Sequence, residues 1–203
     1  MLEKKQENTG HWKRFIIFTC IVGSIFGVFS VISDYLPNIG EGASVFELVI
    51  SYLAVMINSL PMWFIIAMFV GYIFARNIKE AVLLGAIYII IAITFYIVIG
   101  YFYEPDPLSF MEWLELFVIY YGASTIGGVL GGGIGFLLKR SPYVLLTLLA
   151  GLILQLLENG TSSWGDIVGV GENVTYCLLI ISIIIYLITL RRNKKITAFD
   201  IQR

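Results

Sequence analysis

Gly122–Gly135 reads GASTIGGVLGGGIG, and half of its residues are glycine. In water such a run is a flexible linker. Here both flanks are strongly apolar, so the glycines sit inside a segment that looks membrane-spanning. Gly127, Gly131 and Gly135 recur every fourth residue, as do Gly128 and Gly132. On a helix that spacing clears two adjacent stripes of side chains and lets neighbouring helices approach to backbone contact. These five glycines are therefore expected to be a helix-packing surface. No lysine follows the run and no strand precedes it, so it does not have the form of a phosphate-binding loop.

The rest of the chain agrees with a membrane setting. Of its 203 residues, 59% are hydrophobic and 13% are charged, against about a quarter charged in soluble domains. Mean hydropathy is +0.89, and long uncharged runs alternate with short polar turns. The fold class expected is an all-α polytopic membrane protein of six transmembrane helices. They would form three helical hairpins, with interrupted helices starting near Ser44 and Ser109. The expected organisation is a cytoplasmic tail over 1–14, one membrane domain over 15–190, and a basic cytoplasmic tail over 191–203.

Charge fixes the expected orientation. All 13 Lys and Arg residues fall in four clusters: Lys4 to Arg14, Arg76 to Lys79, Lys139 with Arg140, and Arg191 to Arg203. With six crossings every cluster lands on one side, and the positive-inside rule makes that side the cytoplasm. The chain is thus expected in the cell membrane with both termini inside. The opposite connections hold acids and no base. Glu47, Glu112 and Glu115 are candidates for an outer acidic vestibule that concentrates cations. The plainer alternative is that acids collect wherever Lys and Arg are excluded.

Taken in order, span one covers about Phe15 to Ile32. Val31-Ile32-Ser33 faintly imitates a signal cleavage site, but the apolar run is longer than a signal core and carries Gly23-x-x-x-Gly27, so it is read as retained. From Ser44 to Phe74 the chain holds one acid and no base. A straight helix over that run would be roughly 46 Å long against a hydrocarbon core of about 30 Å. Asn58-Ser59-Leu60-Pro61 is the natural break, since proline lacks an N–H and clashes with the preceding turn. An outer piece, 44–58, and a crossing piece from about 61 to 75 are expected. Span three is Ala81–Gly100, span five Pro142–Leu157 and span six Val174–Leu190.

Three segments share one plan. Ser44-x-x-Glu47 and Ser109-x-x-Glu112 are capping boxes, and Ser163-x-x-Asp166 is a weaker variant. Each then runs apolar, meets an expected break (Asn58–Pro61, Gly122–Thr125, Gly169–Asn173) and ends on arginine. Interrupted helices at matching places in internal repeats point to a transporter's binding site. The candidate ligand-binding residues are therefore Asn58, Ser59, Ser124 and Thr125 at the breaks, with Gln155 and Glu158 on span five. The bland alternative is interhelical hydrogen bonding.

No enzymatic centre is expected. His11 is the only histidine and is placed in the polar tail, in water. Cys20 and Cys177 fall near opposite ends of their spans, and no disulfide is expected. No cofactor, metal or nucleic acid is implied. Asn159-Gly-Thr161 and Asn173-Val-Thr175 match the glycosylation pattern and are read as chance.

Ser59-Leu-Pro-Met-Trp63, Gly71 before the arginine turn, Gly85, Trp113, the glycine-rich fourth span and Glu158 closing the fifth occur in an order that resembles a family of small bacterial multi-pass membrane proteins known only as a domain of unknown function. The resemblance covers nearly the whole chain, implies the six-span plan and brings no activity with it. The length and span number are also similar to substrate-binding subunits of bacterial vitamin importers. The functional expectation is a transport or ligand-binding component for a small polar or cationic solute. The alternative is a non-catalytic partner subunit, for assembly, immunity or regulation, that docks a membrane protein or a second copy through its glycine face. The lipid bilayer is the partner common to both.

Overall fold

Seven helices make up the fold seen in a computed structural model, which describes residues 2–35, 43–103 and 110–201; side chains are described within 11–193 of these, except at 110, 112, 113 and 116. They are α1 (Leu2–Asp34), α2 (Val45–Asn58), α3 (Leu60–Phe74), α4 (Ile78–Tyr103), α5 (Phe110–Leu138), α6 (Leu145–Asn159) and α7 (Ile167–Ile201). Single 3₁₀ turns at Pro142–Val144 and Ser162–Trp164 precede the last two helices. Among the described residues there is no strand. Five helices are long and apolar enough to cross a membrane, or six spans if the bent pair α2–α3 counts as one. The end helices extend beyond the expected spans into both tails, since α1 begins at Leu2 and α7 continues to Ile201.

Helix ends follow local chemistry. The Ser44 box caps α2: the Ser44 N–H donates to Glu47 Oε2 at 2.7 Å and the Glu47 N–H to Ser44 Oγ at 3.2 Å. Asn77 caps α4 by accepting from the Glu80 N–H at 2.9 Å, while the Arg76 N–H donates to Glu80 Oε2 at 2.8 Å. Gly160 ends α6 at φ 64°, a left-handed conformation that glycine reaches without steric penalty. The third cap differs from the expected pattern. Asp166 itself caps α7, accepting from the Val168 and Gly169 N–H groups at 2.8 and 3.1 Å. Ser109 lies outside the described residues.

The first expected break is present: α2 and α3 meet at Ser59 with a bend of 63°. Pro61 lies in the first turn of α3, where its missing N–H has no intrahelical partner to lose. The other two are not breaks. Helix α5 runs unbroken through Gly122–Thr125, and α7 through Gly169–Asn173. In hydrocarbon, an open backbone has no water to bond, so even glycine-rich segments keep their helical hydrogen bonds.

The chain divides into two compact units, Met1–Arg140 and Ser141–Arg203. In the first, α4 packs against α1, α3 and α5. Helix α1 runs parallel to it: Gly23 faces Ala92, and Gly27 lies so close to Phe95 and Tyr96 that a Cβ would come within 2.9 Å of the Tyr96 nitrogen. The α5 glycines divide between two neighbours. Gly128 and Gly132 meet Gly85 and Ala81 of α4, while Gly131 and Gly135 meet Ala67 and Met68 of α3; Gly132 also meets Gly71 of α3. Gly127 alone of the five has nothing within 4 Å of where a Cβ would stand. The core between these helices is small and aromatic: Ala67, Ala81 and Ala92 are fully buried with Phe15, Leu84 and Tyr88. Close approach of this kind gains dispersion contacts, the main attraction left between helices in lipid.

One end of this unit is basic. The Lys139 ammonium donates to the Ala75 carbonyl at 2.6 Å, and the Arg140 guanidinium lies 5.4 Å from the Phe136 ring. His11, expected in solvent, instead sets its ring edge-on to Phe74 at 6.1 Å, at this same end. In the second unit α6 and α7 form a hairpin. Leu178, Ile181, Ile185 and Ile188 of α7 are exposed, as a lipid-facing stripe is.

Candidate functional site

Asp34 ends α1 at the pole of the first unit opposite the basic one, and two other helices reach it. Tyr96 of α4 donates its hydroxyl to Asp34 Oδ2 at 2.7 Å. The Asn58 side-chain amide, at the last residue of α2, donates to Asp34 Oδ1 at 3.3 Å. Asn58 stands here because α2 stops at Ser59. The Ser59 hydroxyl turns back onto the Met56 carbonyl at 2.7 Å, and its own carbonyl accepts from Met62 and Trp63 as α3 begins. Tyr96 stands here because α1 and α4 run in parallel register through the Gly23 and Gly27 contacts. The carboxylate thus holds three elements together at the bend.

Two tyrosine pairs include Tyr96 and the residue that follows Asp34. Tyr96 lies 5.6 Å from Tyr120 of α5, ring centre to ring centre, and Tyr35 lies 5.0 Å from Tyr103. Just beyond, Thr94 Oγ1 and the Tyr121 hydroxyl are 2.9 Å apart, and Tyr121 stacks on Phe117 at 12°. Asp34 remains exposed, while Asn58 and Tyr96 are half-buried. A negative group fixed by neutral donors, with ring faces nearby, is suited to holding a cation.

The other expected site residues are distributed differently. Ser59 is buried and spends its hydroxyl on the local cap. Ser124 and Thr125 are half-buried on the unbroken α5, and neither makes a side-chain hydrogen bond to Asn58 or Ser59 among the described residues. The expectation that two broken segments converge is therefore corrected, because the second segment is not broken. Gln155 and Glu158 belong to the second unit, where Glu158 is exposed. Of the vestibule residues, Glu47 caps its own helix, Glu115 is exposed, and the Glu112 side chain lies outside the described residues. Cys20 and Cys177 are free thiols. No group of three or more His, Cys, Asp and Glu side chains is placed to hold a metal ion among the described residues.

The second unit has its own polar network, and it gives the two sequon asparagines a different role. Gln155 donates to Asn159 at 2.9 Å, Asn159 to Asn173 at 2.9 Å, Asn173 to Ser163 Oγ at 2.7 Å, and Ser163 to the Gly160 carbonyl at 3.0 Å. Beside it the Tyr176 hydroxyl donates to Glu172 Oε1 at 2.8 Å. Asn173 and Tyr176 are fully buried. Amides passed from helix to helix in this way satisfy each other and close the head of the α6–α7 hairpin.

Asp34 and Tyr96 are the functional candidates that local reading of the sequence missed. The signal available was an acid directly ending span one, with a tyrosine-rich end on span three. Set beside protein-family models, curated proteins and solved structures, the chain matches none of them, so the resemblance noted above rests on its quoted residues alone.

Proposed function

We propose that the chain is a non-catalytic membrane protein that binds a small cationic solute at the bend between α2 and α3, as a ligand-binding or transport component of the cell membrane. The observation that carries this reading is the Asp34 carboxylate, held by Tyr96 at 2.7 Å and by the break residue Asn58 at 3.3 Å. A bent helix pair whose break bonds a carboxylate is the kind of site at which a moving ion or solute is held. In this reading the Asp34 pole faces outward and both termini lie in the cytoplasm, as the segregation of bases favours.

The test is thermal stability of the detergent-purified protein against a panel of small monovalent and divalent cations at fixed ionic strength. A ligand present at 100 times its Kd adds about 2.7 kcal/mol, which raises Tm by several degrees. Asp34→Asn is expected to remove the rise and Asn58→Ala to reduce it, while Glu158→Gln, in the other unit, leaves it intact. A panel in which no cation stabilises the native chain counts against the reading. For the alternative of a docked partner, Gly127 is the one of the five stripe glycines left uncovered, so Gly127→Leu is the variant whose co-purifying chains are to be compared with those of the native protein.

A further inference from the structure

Resting on the cation reading above, we infer that the solute held at Asp34 carries an organic ammonium group rather than being a bare metal ion. A metal ion is selected by several oxygens converging at short range. Asp34 is the one carboxylate in the described cluster, and its two oxygens already accept from Tyr96 and Asn58. The groups around it are instead rings. Tyr96 and Tyr103 are seven residues apart on α4 and therefore share a face. Each is paired with a tyrosine from another helix or its end: Tyr120 from α5, and Tyr35 immediately after Asp34.

Asp34 connects the two pairs, bonded to a member of one and adjacent in the chain to a member of the other. Three of the four side chains reach the surface. Tyr35 is 42% exposed, Tyr103 63% and Tyr120 38%. Tyrosine faces attract a weakly hydrated ammonium through their quadrupole, and a carboxylate beside them supplies the full charge. Small alkali ions keep their water and gain little from such rings. The arrangement recognises a methylated or primary ammonium, presented by a free solute or by a lipid headgroup at the membrane edge.

The experiment compares tetramethylammonium and choline chlorides with sodium and potassium chlorides, at equal ionic strength, by thermal stability of the full chain in a maltoside detergent free of choline. The ammonium ions are expected to stabilise at about tenfold lower concentration than the alkali ions. Tyr120→Leu, at a partly exposed ring, is expected to weaken the ammonium effect about tenfold and leave any alkali effect unchanged. Tyr96→Phe keeps the ring and is expected to retain most of it. Asp34→Asn abolishes it. Stabilisation by sodium or potassium but not by ammonium would overturn the inference while leaving the cation reading in place. No stabilisation by any cation would overturn both. An unchanged ammonium effect in Tyr120→Leu would also overturn it, since the rings would then not be the selector. A short-chain phosphatidylcholine effective well below the concentration of choline supports the same chemistry with a lipid headgroup as its source, and equal potency supports a free solute.

Discussion

At Gly132 an added methyl group would run into the Ala81 carbonyl of α4, and at Gly135 into the Met68 carbonyl of α3. These are backbone atoms, so no rotamer change relieves the overlap, and the helices themselves must separate. Gly132→Ala is therefore expected to destabilise the protein by at least the 1–3 kcal/mol typical of overpacking, read as a Tm lower by several degrees. Gly127→Ala makes the opposite test on the same helix. Nothing stands within 4 Å of its Cβ position, and alanine is the better helix former by about 1 kcal/mol in water. Its Tm is expected to be unchanged or raised. Equal losses in the two variants would mean that the glycine run is not divided between faces. Four-residue spacing is a helix-face signal and pointed to packing for all five glycines, which holds for Gly128, Gly131, Gly132 and Gly135 and is corrected for Gly127. It did not distinguish Gly127 from Gly131, since that depends on which neighbours α5 meets.

Among the elements, the bent pair is the one whose geometry a single residue decides. A continuous helix through Ile57–Pro61 would press the proline ring against the Ile57 carbonyl and leave it without a donor. Pro61→Ala removes that obstacle. Spin labels at the exposed Val45 and Ile73, with Cys20 and Cys177 replaced, report the outcome. A 63° bend puts the two positions about 36 Å apart, against about 42 Å for a straight helix. The native chain is expected at the shorter distance and Pro61→Ala to populate the longer one. An unshifted distance would assign the bend to the packing of α2 on α1 instead. The contrast with α5 shows why one break was legible and the other was not. Proline removes a hydrogen bond wherever it stands, whereas glycine weakens a helix chiefly by competing with water and disorder, and lipid offers neither. Asn58 was legible as a candidate because it sits at the proline break. Asp34 was legible only as an acid ending span one, because its bond to Tyr96 depends on the parallel register of α1 and α4, a tertiary fact.

On the scale of the whole molecule, each unit separates its acids from its bases. In the first, Lys139, Arg140 and the Arg76 turn gather at the pole away from Asp34. In the second, Asp166 caps α7 and Glu172 stands in its second turn, with Arg191 and Arg192 about 20 residues beyond Glu172, roughly 30 Å away on a helix. Basic segments resist translocation, and acids contribute little to orientation. The Asp34 pole and the head of the α6–α7 hairpin are therefore expected outside, and the basic poles inside. Single cysteines test this in a chain lacking Cys20 and Cys177, using a membrane-impermeant maleimide on intact cells. Cysteine at Ser44 or Ser162 is expected to label at once. Cysteine at Ser141 or Asn193 is expected to label only after the membrane is opened. Labelling of Ser141 from outside would invert the assignment and, with it, the access of any external solute to Asp34. Labelling of Ser44 and Ser162 from opposite sides would mean that one segment between them does not cross, and the bent pair is not that segment, because the parallel run of α1 and α4 requires the chain to change sides between them.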